Sequence, residues 1–200
     1  MERKIKVEVS ARHIHLTQEN IEKLFGAGHQ LTSKKELSQP GQFASEERVT
    51  VVGAKSELKT TILGPARNYN QVEISLTDAR TIGVEATIRE SGHVEGTKGV
   101  KVVGPCGEIE LTEGVIAAKR HIHLDPKTAE EYNLKSGDIV SVDINTNGRS
   151  VVFKDTVIRV SDKFTPYMHV DTDEGNAALL SSVVEGTRLW IPVPKVIPYY

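Results

Sequence analysis

The residues best suited to chemistry are four histidines arranged in two His-x-His pairs. They lie in identical pentapeptides that stand 108 residues apart, Arg12-His13-Ile14-His15-Leu16 and Arg120-His121-Ile122-His123-Leu124. In an extended segment residues i and i+2 point to the same side, so each pair presents two imidazoles together while the intervening isoleucine faces the core. Imidazole combined with carboxylate suits Zn²⁺ among the first-row divalent ions. Each pair is therefore a two-point chelate for a metal.

A catalytic zinc usually has three protein ligands and one open position, so each pair needs a further ligand. The leading candidates are Glu73, which alternation within Gln71–Ser75 turns to the polar face of a strand, and His169 in the segment Tyr167–Glu174. The residues alone leave open which candidate joins which pair. A single cysteine, Cys106, excludes a thiolate cluster and an intramolecular disulfide. We expect His29 and His93 to have no functional role.

An arginine follows a turn between the two histidine pairs. The segment Gly64-Pro65-Ala66-Arg67 reads as a turn leading into the strand that carries Glu73. The planar guanidinium of Arg67 offers paired donors that match phosphate, although a surface arginine is the simpler alternative. A later Gly-rich run, Glu90 to Gly99, has hydroxyl and backbone donors for an anion but is more typical of an ordinary loop.

Short strands dominate the elements that must position these residues. Period-two alternation and apolar runs predict strands at 5–9, 49–52, 72–76, 100–103, 139–144 and 151–160. Helices are predicted over Gln18–Phe25 with Thr17 as cap, after Asp125 with Pro126 in the first turn, and over Glu174–Leu180 with Asp173 as cap. This pattern favours β-barrels or a sandwich capped by small helices, and the repeated pentapeptide predicts two related β units.

Composition excludes several classes of function. The 200 residues carry a formal charge of -2, so the chain lacks the positive field that holds nucleic acid. No apolar run approaches the length of a membrane span, and we expect no membrane partner. Only eleven residues precede Arg12-His13, too few for an amphipathic targeting extension, so a cytoplasmic location is expected over a bacterial microcompartment.

Taken together, the motifs resemble the PduL-type phosphate propanoyltransferases. The resemblance is carried, in order along the chain, by both pentapeptides, Gly64–Arg67 with Gln71–Ser75 and Thr77–Ala79, and His169–Ala177. It implies a mainly β fold of two β-barrel domains related by internal duplication, capped by short helices, with the active site between them. It further implies that the N-terminal strand joins the C-terminal half, so the expected domains are 1–35 plus 112–200 and 36–111.

The resemblance also implies an activity and a set of site residues. The reaction is reversible transfer of a propanoyl or acetyl group between coenzyme A and inorganic phosphate, giving acyl phosphate. The resemblance also implies a homodimer. Two zinc ions per chain are implied, held by the sets His13, His15 and Glu73, and His121, His123 and His169. Arg67 is implied to orient phosphate, and Asn176 to line the coenzyme A pocket.

A direct displacement follows as the expected mechanism: phosphate attacks the thioester carbonyl, which the metals polarise while they stabilise the leaving thiolate. Two alternatives remain open from the sequence. A zinc-dependent hydrolase would attack a thioester or phosphoester with water, and a non-enzymatic protein would use saturated metal sites only to hold its fold.

Overall fold

The computed structural model describes residues 3–180, 184–186 and 188–190. The described chain is built mainly from short strands. The strands are β1 (Ile5–Val9), β2 (His13–His15), β3 (Ser33–Glu36), β4 (Phe43–Val52), β5 (Glu57–Gly64), β6 (Gln71–Glu73), β7 (Thr87–Arg89), β8 (Lys98–Val103), β9 (Glu108–Ala118), β10 (His121–Leu124), β11 (Ile139–Ile144), β12 (Val151–Val160), β13 (Tyr167–Val170), β14 (Val184–Gly186) and β15 (Arg188–Trp190). The helices are α1 (Gln18–Phe25), α2 (Leu76–Ile82), α3 (Pro126–Glu131) and α4 (Thr172–Ala177).

The chain divides into two compact units. The central unit comprises Ser10–Lys119 with Asp171–Asp173, and the terminal unit comprises the described residues up to Val9, Arg120–Val170 and the described residues from Glu174 onward. This division differs from the boundaries expected from the sequence, because residues 10–35 and 112–119 lie in the central unit. The physical reason is strand pairing: β2 and β9 both hydrogen-bond to β6 of that unit.

The central unit contains a closed ring of six strands. Hydrogen bonding runs β4-β5-β2-β6-β9-β8 and returns from β8 to β4, while β3 and β7 add to β4 and β9 outside the ring. Side chains that alternate inward fill the ring, including Ile14, Val51, Ile62 and Val72, and all four are fully buried or nearly so. Burial of such apolar surface is the dominant stabilising term, and ring closure leaves few free strand edges.

The terminal unit contains a seven-stranded sheet that curls as a half-barrel. Its strand order is β14-β1-β13-β10-β12-β11-β15. Its apolar cluster includes Val7, Ile122, Ile158 and Met168, each with no exposed surface. The mainly β class, the barrel architecture and the short capping helices expected from the sequence are confirmed.

The same pairing pattern surrounds both pentapeptides, as internal duplication predicts. Strand β2 runs parallel to β5 and antiparallel to β6, and strand β10 runs parallel to β12 and antiparallel to β13. The strand that precedes each pentapeptide, however, belongs to the other unit. Strand β1 pairs with β13 of the terminal unit, and β9 pairs with β6 of the central unit. The chain therefore changes unit immediately before each histidine pair.

Helix prediction succeeds where capping is local. Helix α1 has the predicted bounds, with the Thr17 hydroxyl accepting from the Asn20 amide, and Asp125 caps α3 with Pro126 in its first turn. The predicted cap of α4 is wrong, because that helix begins earlier, at Thr172. Helix α2 was not predicted: the strand ends at Glu73 and Ser75 caps a helix where the sequence suggested strand up to residue 76. None of the helices in the described residues is long and apolar enough to cross a membrane.

Candidate metal centres

The first candidate centre lies on the adjacent strands β2 and β6 of the central unit. His13 and Glu73 are register partners across these antiparallel strands, and His15 lies two residues along β2. Nε2 of His13 is 3.4 Å from Oε1 of Glu73, and Nε2 of His15 is 4.0 Å from the same oxygen. All three residues are buried. The structure thus brings together the three residues that the resemblance implied for the first metal.

The His13–Glu73 separation of 3.4 Å fits a tetrahedral metal, and the His15–Glu73 separation of 4.0 Å is longer. Zinc bonds of about 2.0–2.1 Å place two ligand atoms of a tetrahedron about 3.3 Å apart. The ligand atoms of His13, His15 and Glu73 all lie within 4.8 Å of one another. Two imidazoles and one carboxylate are a donor set that zinc and related divalent ions accept, and they leave a fourth position open.

The charges of the three residues are strongly coupled. Burial lowers the pKa of His13, but the charge and hydrogen bond of Glu73 and the hydrogen bond to the Ala11 carbonyl together raise it, so the net pKa lies above the usual value. Burial, with the nearby charge of His13, lowers the pKa of His15 to about 3. Burial alone would raise the pKa of Glu73, yet the charge and hydrogen bond of His13 hold it well below its ordinary value. Glu73 is therefore ionised near neutral pH, and its negative charge favours a cation at this site.

Neighbouring polar groups hold Glu73 in place. Nε2 of Gln71 donates to Oε1 of Glu73 at 2.6 Å, and the Ser91 hydroxyl donates to the same oxygen at 2.8 Å. Oε1 of Gln71 accepts from the Gly92 amide at 2.7 Å. Gln71 was not among the predicted site residues. The signal was its i, i+2 spacing from Glu73, which puts both side chains on one face of β6.

The second candidate centre lies on β10 and β13 of the terminal unit. His121 and His169 are register partners, as His13 and Glu73 are in the first centre. Nε2 of His121 and Nδ1 of His169 are 3.3 Å apart, again the separation of two ligands on a tetrahedral metal. The His123 ring lies with its centroid 4.7 Å from that of His121 and 5.0 Å from that of His169. This group of three imidazoles also fits zinc.

An arginine beside each centre joins the histidine strand to the helix that follows the third ligand. Arg12 donates from Nε and from Nη2 to the two carboxylate oxygens of Asp78 in α2, each at 2.8 Å. Arg120 donates from Nη1 to Glu174 in α4 at 2.6 Å. Each acid lies five residues beyond the third ligand of its own centre. This repeated ion pair was not predicted from the sequence.

Arg67 lies close to the first centre. Its amide donates to the Leu16 carbonyl at 2.8 Å, and Nη1 donates to the Tyr69 hydroxyl at 3.2 Å. Its positive charge lowers the pKa of His15, after the larger effects of burial and of His13, and it opposes protonation of His13 in the same way. Arg67 is half-buried, and its charge acts on both histidines.

The turn that leads to Arg67 depends on a glycine. A Cβ built on Gly64 would lie 2.2 Å from Cζ of Phe43, so any side chain there would displace that ring.

The remaining predicted residues are placed less centrally. Asn176 is exposed in the last turn of α4, next to Gly175, where a Cβ would lie 2.5 Å from Val9. Cys106 is exposed, and no role is assigned to it. His29 stacks on Phe25 and contacts Glu47 at 3.0 Å, and it belongs to neither candidate ligand set.

Comparison with known proteins gives a consistent result. A model of the phosphate propanoyltransferase family matches residues 6–181. The phosphate propanoyltransferase of Clostridioides difficile is 52% identical over 174 residues, which cover 86% of this chain and 83% of that protein. That of Thermotoga maritima is 50% identical, with 89% and 85% covered. That of Salmonella typhimurium is 49% identical, with 88% and 84% covered.

Proposed function

Because the chain belongs to the phosphate propanoyltransferase family, we propose that it is a phosphotransacylase that moves a short acyl group between coenzyme A and inorganic phosphate. Acyl-CoA and phosphate are its substrates, and acyl phosphate and free coenzyme A are its products. The observation that carries the proposal beyond family membership is the pair of three-residue groups, each with ligand atoms at metal-binding distances.

We propose that each group binds one zinc ion. His13, His15 and Glu73 would hold one, and His121, His123 and His169 the other. Five of the six residues are buried and His169 is half-buried, and the directly opposed ligand atoms are 3.3–3.4 Å apart, which supports this assignment. When bound, zinc would supply Lewis acidity for the thioester carbonyl and charge stabilisation for the leaving sulfur.

The proposed transfer is a single displacement. A phosphate oxygen attacks the carbonyl carbon of the thioester, the new C–O bond forms, and the C–S bond breaks with its electron pair leaving on the coenzyme A sulfur. Arg67 would hold and orient the phosphate, since its paired donors match phosphate oxygens and its charge already acts near the first centre. Asn176 would contact coenzyme A, and the working form would be a homodimer.

An assay of thiol release tests the reaction. Purified protein is given acetyl-CoA or propanoyl-CoA with and without phosphate, while acyl phosphate and bound zinc are measured in parallel. The proposal expects release that depends on phosphate and equals acyl phosphate formed. Release that is independent of phosphate would instead support a zinc-dependent hydrolase. The same assay ranks the two acyl groups, for which one methylene is worth about 1–3 kcal/mol.

Replacement of Arg67 tests its role. Arg67→Ala should reduce turnover at least about 100-fold, the scale of losing a charge-stabilising donor, while zinc content stays at two per chain. Arg67→Lys keeps the charge but loses the planar fork, so it should recover only part of the activity. Arg48→Ala removes a charge from an exposed position on β4 and serves as the matched control. Wild-type turnover in Arg67→Ala would remove Arg67 from the mechanism.

Replacement of His121 tests the second metal. His121→Ala should lose one zinc per chain together with activity, because two remaining imidazoles bind the metal far more weakly than three. Retention of both zinc ions would exclude His121 as a ligand.

A further inference from the structure

A carboxylate lies next to the second candidate centre, within hydrogen-bond distance of one of its candidate ligands. Oε1 of Glu8 in β1 lies 2.6 Å from Nε2 of His169, at a distance typical of a charge-assisted hydrogen bond. The two residues are register partners in the parallel pairing of β1 with β13, so their side chains lie on the same face. The other ring nitrogen, Nδ1, faces Nε2 of His121. The imidazole of His169 therefore lies between a carboxylate on one side and the candidate ligand set on the other.

Among the residues that the structure describes, the first centre has no carboxylate at the corresponding place. In the parallel pairing of β6 with β9, the register partner of Glu73 is Ile116, which is fully buried. Glu73 is itself an anionic ligand and takes its hydrogen bonds from Gln71 and Ser91. A histidine that binds a metal through Nδ1 is neutral, and its Nε2–H then needs an acceptor, as His169 would at the second centre. Each centre thus includes one carboxylate in the described residues. In the first centre it is the candidate ligand Glu73, and in the second it is Glu8, which is hydrogen-bonded to the candidate ligand His169.

We propose that Glu8 is a positioning residue for the metal at His121, His123 and His169. Glu8 accepts the Nε2–H of His169, which fixes the tautomer with a free lone pair on Nδ1 and fixes the orientation of the ring. Its negative charge also offsets part of the metal charge through the imidazole. The inference rests on the proposed function in one respect only, that the second group binds a metal.

The expected effect is confined to one centre. Removal of a carboxylate behind a metal-bound histidine typically costs about 10–100-fold in metal affinity. Glu8→Gln keeps the size of the side chain and replaces the anion by an amide. It should therefore weaken zinc binding at the second centre by about that factor and leave the first centre unchanged. Glu8→Asp keeps the charge and should restore part of the affinity.

Zinc titration of the metal-depleted full chain, in competition with a chromophoric chelator, measures both affinities. Wild type, Glu8→Gln and Glu8→Asp are compared with Glu130→Gln, which makes the same charge change at an exposed position of α3. Imidazole ¹⁵N–¹H spectra of the zinc-loaded proteins provide a readout that a purely structural role would not move. Wild-type His169 should appear as the Nε2–H tautomer with a strongly deshielded proton, and Glu8→Gln should shift that proton upfield.

The outcomes separate the inference from the proposed function. One weakened site and one unchanged site in Glu8→Gln support the inference. Two unchanged sites, or equal weakening of both, would overturn it while leaving two-metal binding intact. A wild-type chain that binds no zinc through His121, His123 and His169 would overturn both. Thermal unfolding of the metal-free variants shows whether each retains the fold, and Glu8→Asp repeats the test if Glu8→Gln does not.

Discussion

The ion pair between Arg12 and Asp78 should stabilise the central unit and the first metal centre together. Arg12 immediately precedes His13, and Asp78 lies five residues beyond Glu73, so the pair joins the two segments that contribute ligands. Both carboxylate oxygens of Asp78 are bonded, each at 2.8 Å, in the paired geometry that arginine forms best. Arg12→Ala removes both bonds and leaves the largely buried Asp78 carboxylate without this partner.

The size of the loss follows from burial. Two hydrogen bonds to a charged group are worth about 3–6 kcal/mol when shielded, at about 1.5–3 kcal/mol each. The Asp78 side chain is 9% exposed, but that of Arg12 is 39% exposed, so solvent screens much of the interaction. Fully exposed pairs contribute only about 0–1 kcal/mol. We therefore expect a coupling energy of about 2 kcal/mol, between these two limits.

A double-mutant cycle measures that energy. Denaturant unfolding of Arg12→Ala, Asp78→Asn and the double variant, all with chelator present, should give a coupling of about 2 kcal/mol. Arg80→Ala removes a charge from the exposed face of the same helix and should change stability by less than about 0.5 kcal/mol. Arg12→Ala should also weaken zinc binding at the first centre alone. A coupling energy below about 0.5 kcal/mol would refute the claim that this ion pair joins and stabilises the two ligand-bearing segments.

Three further predictions concern other parts of the structure. Ile122→Ala should lower the free energy of unfolding by about 2–5 kcal/mol, because the side chain is fully buried; a loss below about 1 kcal/mol in denaturant unfolding would contradict this packing. Gln71→Leu should weaken zinc binding at the first centre about 10–100-fold in the zinc titration and leave the second centre unchanged, because Glu73 loses a hydrogen-bond donor at 2.6 Å. A zinc affinity of the first centre equal to that of the wild type would show that Gln71 does not hold Glu73 in place. Burial alone would raise the pKa of Glu47, but hydrogen bonds from Thr32 and His29 hold it below its usual value, so its stabilisation is present above the ordinary glutamate pKa and is lost as the pH falls through the lowered one. Unfolding measured across this acid range should therefore be less pH-dependent in Glu47→Gln than in wild type, and identical slopes would argue against the shift.

Local patterns account for most of what the sequence predicted. Alternation around Ile14 and Ile122 placed both isoleucines in apolar cores and both histidine pairs on the opposite face, as the structure shows. The cap of α1 depended on a hydroxyl three residues from its partner, which is visible in sequence. The predicted strand bounds at 139–144 and 151–160 were also correct, because they too depend on a local residue pattern.

Pairings between distant segments could not be read in the same way. Whether Glu73 or His169 completes the first centre depends on which strands are adjacent, and no local pattern encodes that register. The Arg12–Asp78 pair joins positions 66 residues apart. Helix α2 was missed because an apolar alternation continued past the strand end, while the Ser75 cap that starts the helix competes with it.

Strands β1 and β9 each belong to a different unit from the pentapeptide that follows them, and this affects the order in which the chain folds. The central ring has all six strands once residue 118 has been synthesised, whereas β1, made first, has no β13 to pair with until residues 167–170 follow. Domains generally fold as units during synthesis, and contacts of long sequence separation form late. In the nascent chain, β1 therefore pairs with β13 only after the central ring has folded. Cutting the chain between Lys119 and Arg120 would leave the central ring with all six of its strands but would separate β1 from β13, so only the terminal unit depends on both ends of the described chain.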